Sequence, residues 1–182
     1  CQFRDKNIKT FTSYKFQSRS CPLVGAYKEG IKQIDIMKIM HEYKNNIMMT
    51  DCHIVEGCNS IYSPIDDKIT EISLIEQFVM PLILVVNPLL SDIGEVISGI
   101  NYIRANNINL MGIVINDYDI TSEDIEIKYF PHLIKEFAGV KILGSLPHYA
   151  NFENLEPQIL ISDILNRLDI EDIFSLRIAK LI

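Results

Sequence analysis

Glu56 stands just past the short apolar run Cys52 to Val55 and is followed at once by Gly57. A carboxylate beyond the carboxyl end of a buried strand lies at the rim where open α/β sheets place their ligands. Gly57 permits a backbone turn that a residue with a Cβ would resist. The same pair also fits a solvated strand-to-loop junction, and these residues by themselves do not choose between the two. Polar or turn-forming groups end other apolar runs as well: Lys15, Asn87-Pro88, Asn116-Asp117 and Leu146-Pro147-His148. The soft ligands give no comparable signal. Cys1, Cys21, Cys52 and Cys58 lack paired zinc spacing, and in a strand Cys52 and His53 would point to opposite faces. The four His form no tight cluster, so neither a metal site nor a triad is indicated.

The elements that would position these groups recur along the chain. Strands are expected at Ile8 to Tyr14, Cys52 to Val55, Leu82 to Asn87, Leu110 to Asn116 and Val140 to Leu146. Several are near-continuous apolar runs, the pattern of parallel strands covered on both faces. Helices are expected between them, at Ile34 to Met49, Glu71 to Met80, Asp92 to Ala105 and Ser122 to Phe137. Ser122 followed by two acids suits a capped amino-terminal helix end. Two more helical pieces, Pro157 to Leu168 and Ile170 to Leu181, close the chain. Alternating strand and helix gives an α/β fold, a mostly parallel sheet with helices on both faces. The Met and Ile stripes on these helices read as core.

The 182 residues suffice for one domain with a sizeable core, and 48% hydrophobic with 23% charged residues is ordinary for a globular protein. A net charge of −7 without an offsetting basic cluster argues against nucleic acid or an anionic membrane as partner. Arg4, Lys6, Lys9, Lys15 and Arg19 are spread over an expected strand and loop and read as a solvated rim. No apolar run reaches the roughly 18 residues of a membrane span, no secretory signal is visible, and a reducing cytoplasm is the simplest setting. The chain begins Cys1-Gln-Phe-Arg rather than with Met, so an upstream segment is expected.

The order of the strand ends resembles dethiobiotin synthetase, of the P-loop nucleotide-binding proteins. Thr12-Ser-Tyr-Lys15-Phe resembles that family's strand ending in Tyr-Lys-Pro, and Cys21-Pro22-Leu-Val-Gly-Ala its Ser-Pro-His-x-x-Ala helix start. Ile54-Val-Glu56-Gly57 resembles Val-Glu-Gly-Ala-Gly-Gly, with Tyr62-Ser-Pro64 after it. Met80-Pro-Leu-Ile-Leu-Val-Val86, Leu110-Met-Gly-Ile-Val-Ile-Asn116-Asp117 and Ile142-Leu-Gly-Ser-Leu-Pro147 are similar to the family's Leu-Pro-Val-Ile-Leu-Val, Gly-x-x-x-Asn-Asp and Leu-Gly-x-x-Pro.

The resemblance implies an ATP- and Mg²⁺-dependent carboxylation and ring closure of 7,8-diaminopelargonic acid with carbon dioxide, a step of biotin synthesis. It implies Glu56 as the Mg²⁺ ligand, a hard oxygen completed by phosphates and water. It implies Lys15 as the ammonium facing the reacting phosphate and carbamate. Asn116, with Asp117 beside it, would read the adenine edge, and Pro147 would lie in the loop lining the base. The family forms homodimers, here through Asp92 to Ala105. A single domain of this type is expected over residues 1–182, its glycine-rich phosphate loop upstream of Cys1, because nothing in the chain matches G-x-x-x-x-G-K-[ST]. Gly57-Cys58-Asn59-Ser60 stands where the family has Gly-Ala-Gly-Gly, and Leu89 to Gly94 departs from its Lys-x-Gly-x-Ile-Asn. Those substitutions keep a second expectation open, a non-catalytic relative used as a dimerising or protein-binding module. A third is a cobyrinate-type amidation enzyme or a ParA-like ATPase. The chain leaves no room for a glutaminase domain after its fifth expected strand and carries no basic DNA-binding surface, which argues against this third reading.

Overall fold

The computed structural model describes residues 8–175 and divides into two compact units, Cys1–Phe78 and Val79–Ile182. Cys1, Arg4 and Lys6, and the last turns of the helix expected at Ile170 to Leu181, lie outside the described residues.

In the first unit, Pro22–Lys28 forms α1, Ile36–Ile47 forms α2 and Glu71–Phe78 forms α3. Proline at the first turn of α1 costs no hydrogen bond, because that N–H would be unpaired anyway. Asp35 caps α2 by accepting from the Lys38 N–H at 3.0 Å. Ala26, Ile34 and Ile65 form a small buried cluster with Tyr14, Phe16 and Ile39 packed against it. Tyr43 of α2 is buried, its hydroxyl donates to the Phe78 carbonyl at 3.2 Å, and its ring stands 4.2 Å from that of Phe78.

The second unit holds the sheet. Strands β1 (Leu82–Val86), β2 (Leu110–Ile115) and β3 (Ile142–Ser145) pair in parallel in the order β1-β2-β3. Ile113, Val114 and Ile115 are successive and all buried, and since neighbouring side chains point to opposite faces, both faces of β2 are covered. Helix α4 (Ile93–Ala105) is capped by Asp92, which accepts from the Gly94 and Glu95 N–H groups. Helix α5 (Ile125–Leu133) contains Pro131 and runs on as a wide π-turn over Ile134–Ala138, ended by Gly139 at φ 54°. Ile100, Ile113, Ile115, Phe130 and Ile134 form the core with Val86, Val96, Ala138 and Val140. The Arg104 guanidinium donates to the Ala138 and Gly139 carbonyls and ties α4 to the end of that turn. Helices α6 (Pro157–Arg167) and α7 (Ile170–Phe174) follow a short 3₁₀ turn at Phe152–Asn154.

The parallel α/β architecture is borne out, with three differences. Residues 8–14 and 52–55 are not strands; both run without a ladder partner among the described residues. A strand exists only where a neighbour supplies its hydrogen bonds, and Ile54, 77% exposed, lacks the cover its composition suggested. Lys15 and Glu56 therefore do not follow strand ends, and the opposite-face argument for Cys52 and His53 does not apply. The third difference is the cap of α5. Asp124, not Ser122, caps the helix, accepting from the Glu126 N–H at 2.8 Å, while Ser122 accepts from the Asp124 N–H one step earlier.

Candidate functional site

In the second unit, the carboxyl ends of β2 and β3 meet at a cavity of about 240 Å³. Asn116 and Asp117 reach it from the end of β2, and Leu146, His148 and Tyr149 from the segment after β3. Phe152 of the 3₁₀ turn and Leu160 of α6 supply the remaining wall. Pro147 sits between two lining residues without lining the cavity itself.

Main-chain bonds set this rim. The Asn116 N–H donates to the Val86 carbonyl at 2.8 Å, the Leu146 N–H to the Ile115 carbonyl at 2.9 Å, and the Tyr118 N–H to the Leu146 carbonyl at 3.0 Å. Asp117 takes a left-handed conformation, φ 55°, tolerated by Asp because of its short polar side chain. Its carboxylate accepts from the Asn87 amide at 2.8 Å, and its other oxygen lies 3.3 Å from His148 Nδ1. The Asn116 amide makes no hydrogen bond to another described residue, so its donor and acceptor are both available to a ligand in the cavity.

The far wall is fixed from behind. Tyr149 donates its hydroxyl to Asp163 Oδ2 at 2.8 Å, and the Arg167 Nε donates to Asp163 Oδ1 at 2.9 Å. Burial, then the bond to Asp163, pushes the Tyr149 hydroxyl up to about 12, while Arg167 and Tyr149 hold the Asp163 carboxyl below its usual range. Tyr149 and Phe152 have ring centroids 6.3 Å apart at 53°. Gly144 brings the end of α6 against β3. It bridges to Leu168 at φ 139°, and a Cβ there would come within 2.0 Å of the Arg167 carbonyl.

In the first unit, Lys15 is exposed between Tyr14 and Phe16 and makes no side-chain hydrogen bond or ion pair to another described residue. Glu56 is also exposed, and its carboxylate makes no hydrogen bond to a described residue. The turn after it is held by a group that sequence reasoning missed. Glu71, 7% exposed in the first turn of α3, accepts from the Cys58 N–H with both oxygens, at 2.9 and 3.1 Å. Burial pushes the Glu71 carboxyl up, against the opposing effect of main-chain bonds from Cys58 and Asn59. The Cys58 thiol is likewise pushed up, by desolvation first and then by the charges of Glu71 and Glu56. A raised thiol pKa removes the thiolate that cysteine chemistry needs. Glu71 reads in the sequence as an acid favouring a helix start; its position among Ile69, Ile72 and Leu74 was the available sign of burial.

The Asn116 amide and the aromatic pair fit a purine base, which offers a donor and acceptor on one edge and a flat face for stacking. A lone exposed carboxylate such as Glu56 fits Mg²⁺, which takes one or two protein oxygens and completes its shell with phosphates and water. No group of three or more His, Cys, Asp or Glu able to hold a metal by itself occurs among the described residues. Nor is any helix among them long and apolar enough to cross a membrane.

A parallel sheet with a cavity at its carboxyl rim defines a P-loop NTPase-like α/β protein. A family model described as an AAA domain matches residues 4–156, and the chain belongs to that family. The ATP-dependent dethiobiotin synthetase of Bacillus subtilis (strain 168) is 26% identical, over 85% of this chain and 66% of the relative. Those of Gloeothece citriformis and Thermodesulfovibrio yellowstonii are 25% and 26% identical, over 94% and 93% of this chain and 75% and 72% of theirs. The similarity to dethiobiotin synthetases carried by the ordered segments is thereby borne out. The chain spans just under two thirds of the length of the Bacillus subtilis relative.

Proposed function

We propose that the chain serves in an ATP-dependent dethiobiotin synthetase, carboxylating a diamino acid with carbon dioxide and closing the ureido ring. The observation that carries this reading is Asn116, which lines the cavity at the end of β2, makes no side-chain hydrogen bond to another described residue, and shares the cavity wall with the Tyr149–Phe152 ring pair. Asn116 would pair with the adenine edge, Asp117 would hold the loop that presents it, and Pro147 would shape the segment beneath the base. Glu56 would coordinate Mg²⁺, which when bound neutralises phosphate charge and orients the transferred group. Lys15 would neutralise negative charge gathering on phosphate and carbamate, a part carried by the resemblance alone. Use of ATP favours a cytoplasmic setting, and the resemblance implies a homodimer paired through α4, checked by sedimentation.

The test is calorimetric titration of the full chain with Mg-ATP and Mg-GTP. Binding of Mg-ATP is expected, weakened about tenfold by Asn116→Ala, since losing a ligand hydrogen bond of about 1.4 kcal/mol is a factor of ten. Unchanged affinity in Asn116→Ala, or equal binding of the two nucleotides, overturns the base assignment. Conversion of 7,8-diaminopelargonic acid, followed by mass spectrometry, tests the reaction; its absence with ATP bound would leave a nucleotide-binding relative without this chemistry.

A further inference from the structure

We infer that Glu71 is a positioning residue that sets the direction of the Glu56 carboxylate through the Cys58 main chain. The inference rests on the proposal that Glu56 meets a metal-bound nucleotide. Glu56 makes no side-chain hydrogen bond to a described residue, so only its backbone aims it. That backbone is held at Cys58, whose N–H is shared between the two Glu71 oxygens at 2.9 and 3.1 Å. The contact is tight on the other side as well. A Cβ at Gly57 would come within 1.9 Å of Glu71 Oε1, so the carboxylate fills the space that a side chain at 57 would need.

Several bonds deliver Glu71 to this place. The Glu71 N–H donates to the Ser63 carbonyl at 2.9 Å and the Ile72 N–H to the Ile61 carbonyl at 2.9 Å. Ser63, itself buried, accepts from the Ser60 N–H with its hydroxyl at 3.1 Å. Asp66 closes the intervening turn by accepting from Lys68 and Ile69, and Pro64 bridges to Thr70. Glu71 has no cationic partner within ion-pair distance among the described residues. A buried carboxylate without a counter-ion is a poor device for stability, because its desolvation is not offset by pairing. As an acceptor for the Cys58 N–H it is a strong one, since charge-assisted bonds are roughly twice as strong as neutral ones. The same logic governs outer residues of metal sites, where partners of the ligand orient it.

The experiment measures Mn²⁺ binding by electron paramagnetic resonance, in saturating ATP, for the full chain and for Glu56→Gln, Glu71→Gln and the double variant. Glu71→Gln is expected to weaken Mn²⁺ by about tenfold, and to add nothing further in the Glu56→Gln background, because it acts through that residue. If Glu56→Gln weakens Mn²⁺ while Glu71→Gln does not, or if the two losses multiply in full, the positioning role is overturned and the metal reading stands. If Glu56→Gln itself has no effect, the metal reading fails and the positioning role with it. Should Glu71→Gln not fold, Gly57→Ala displaces the same carboxylate from the solvent side. Its expected loss is of similar size, and wild-type Mn²⁺ binding by that variant overturns the inference.

Discussion

The Asn87 amide donates to the Asp117 carboxylate at 2.8 Å, joining the carboxyl ends of β1 and β2 side chain to side chain. Asn87 also accepts from the Leu89 N–H at 2.9 Å, so one residue fixes its own loop and its neighbour's. Asp117 in turn reaches His148 after β3. The three strand ends are thus linked through one carboxylate, and Asn116, next in sequence, takes its place from that linkage.

Replacing Asp117 is therefore expected to cost both stability and binding. Asp117→Ala removes the bond to Asn87 and puts alanine at φ 55°, a loss of about 1–3 kcal/mol. Asp117→Asn keeps an acceptor and tolerates the left-handed conformation, so its loss should be well under that. Urea unfolding ranks the two, and calorimetry should show Mg-ATP affinity falling in the same order.

Gly144 tests the far wall. Its φ of 139° belongs to a region that L side chains rarely adopt, and a Cβ would meet the Arg167 carbonyl at 2.0 Å. Gly144→Ala is expected to destabilise by about 3 kcal/mol, from strain and overpacking together. Because α6 must retreat from β3, Leu160 and the Asp163 support of Tyr149 shift with it, and nucleotide affinity should fall. Thermal unfolding with and without Mg-ATP separates the two effects: the ligand-induced rise in Tm should shrink as well as the Tm itself.

The parts of this architecture that were legible in the sequence are those whose signal is local. Near-continuous apolar runs containing Ile and Val at Leu82–Val86 and Leu110–Ile115 announce covered parallel strands, and the Asn116-Asp117 pair is visible because it ends such a run. Asp92 before Ile93 is likewise a readable cap. Cys52 to Val55 looked the same by composition, but apolar character records a need for cover and not which neighbour supplies it. Glu71 was hidden for a related reason. A glutamate opening a helix satisfies the dipole rule wherever its side chain turns, so only the fold reveals that it turns inward beneath Cys58. Tyr149 and Phe152 read as ordinary apolar residues until the chain brought them to the cavity.

The hydroxyl of Tyr149 offers a spectroscopic check on that wall. Its value near 12 comes from burial first and the bond to Asp163 second. In the unfolded chain the phenol titrates near the ordinary value of about 10. Between about 10 and 12 the unfolded state gives up its proton while the folded state keeps it. The contribution to stability is therefore complete below about 10 and is lost as pH rises through about 12. Difference absorbance of the tyrosinate band, wild type minus Tyr149→Phe, should show one phenol with a midpoint near 12. Asp163→Asn removes the charge and weakens the acceptor but leaves the burial, so the midpoint should fall only part of the way to its ordinary value. A midpoint near 10 in the wild type would mean that the hydroxyl is neither buried nor held by Asp163. Bound Mg-ATP covering the cavity should raise the midpoint further, because stacking a base against the ring deepens its burial.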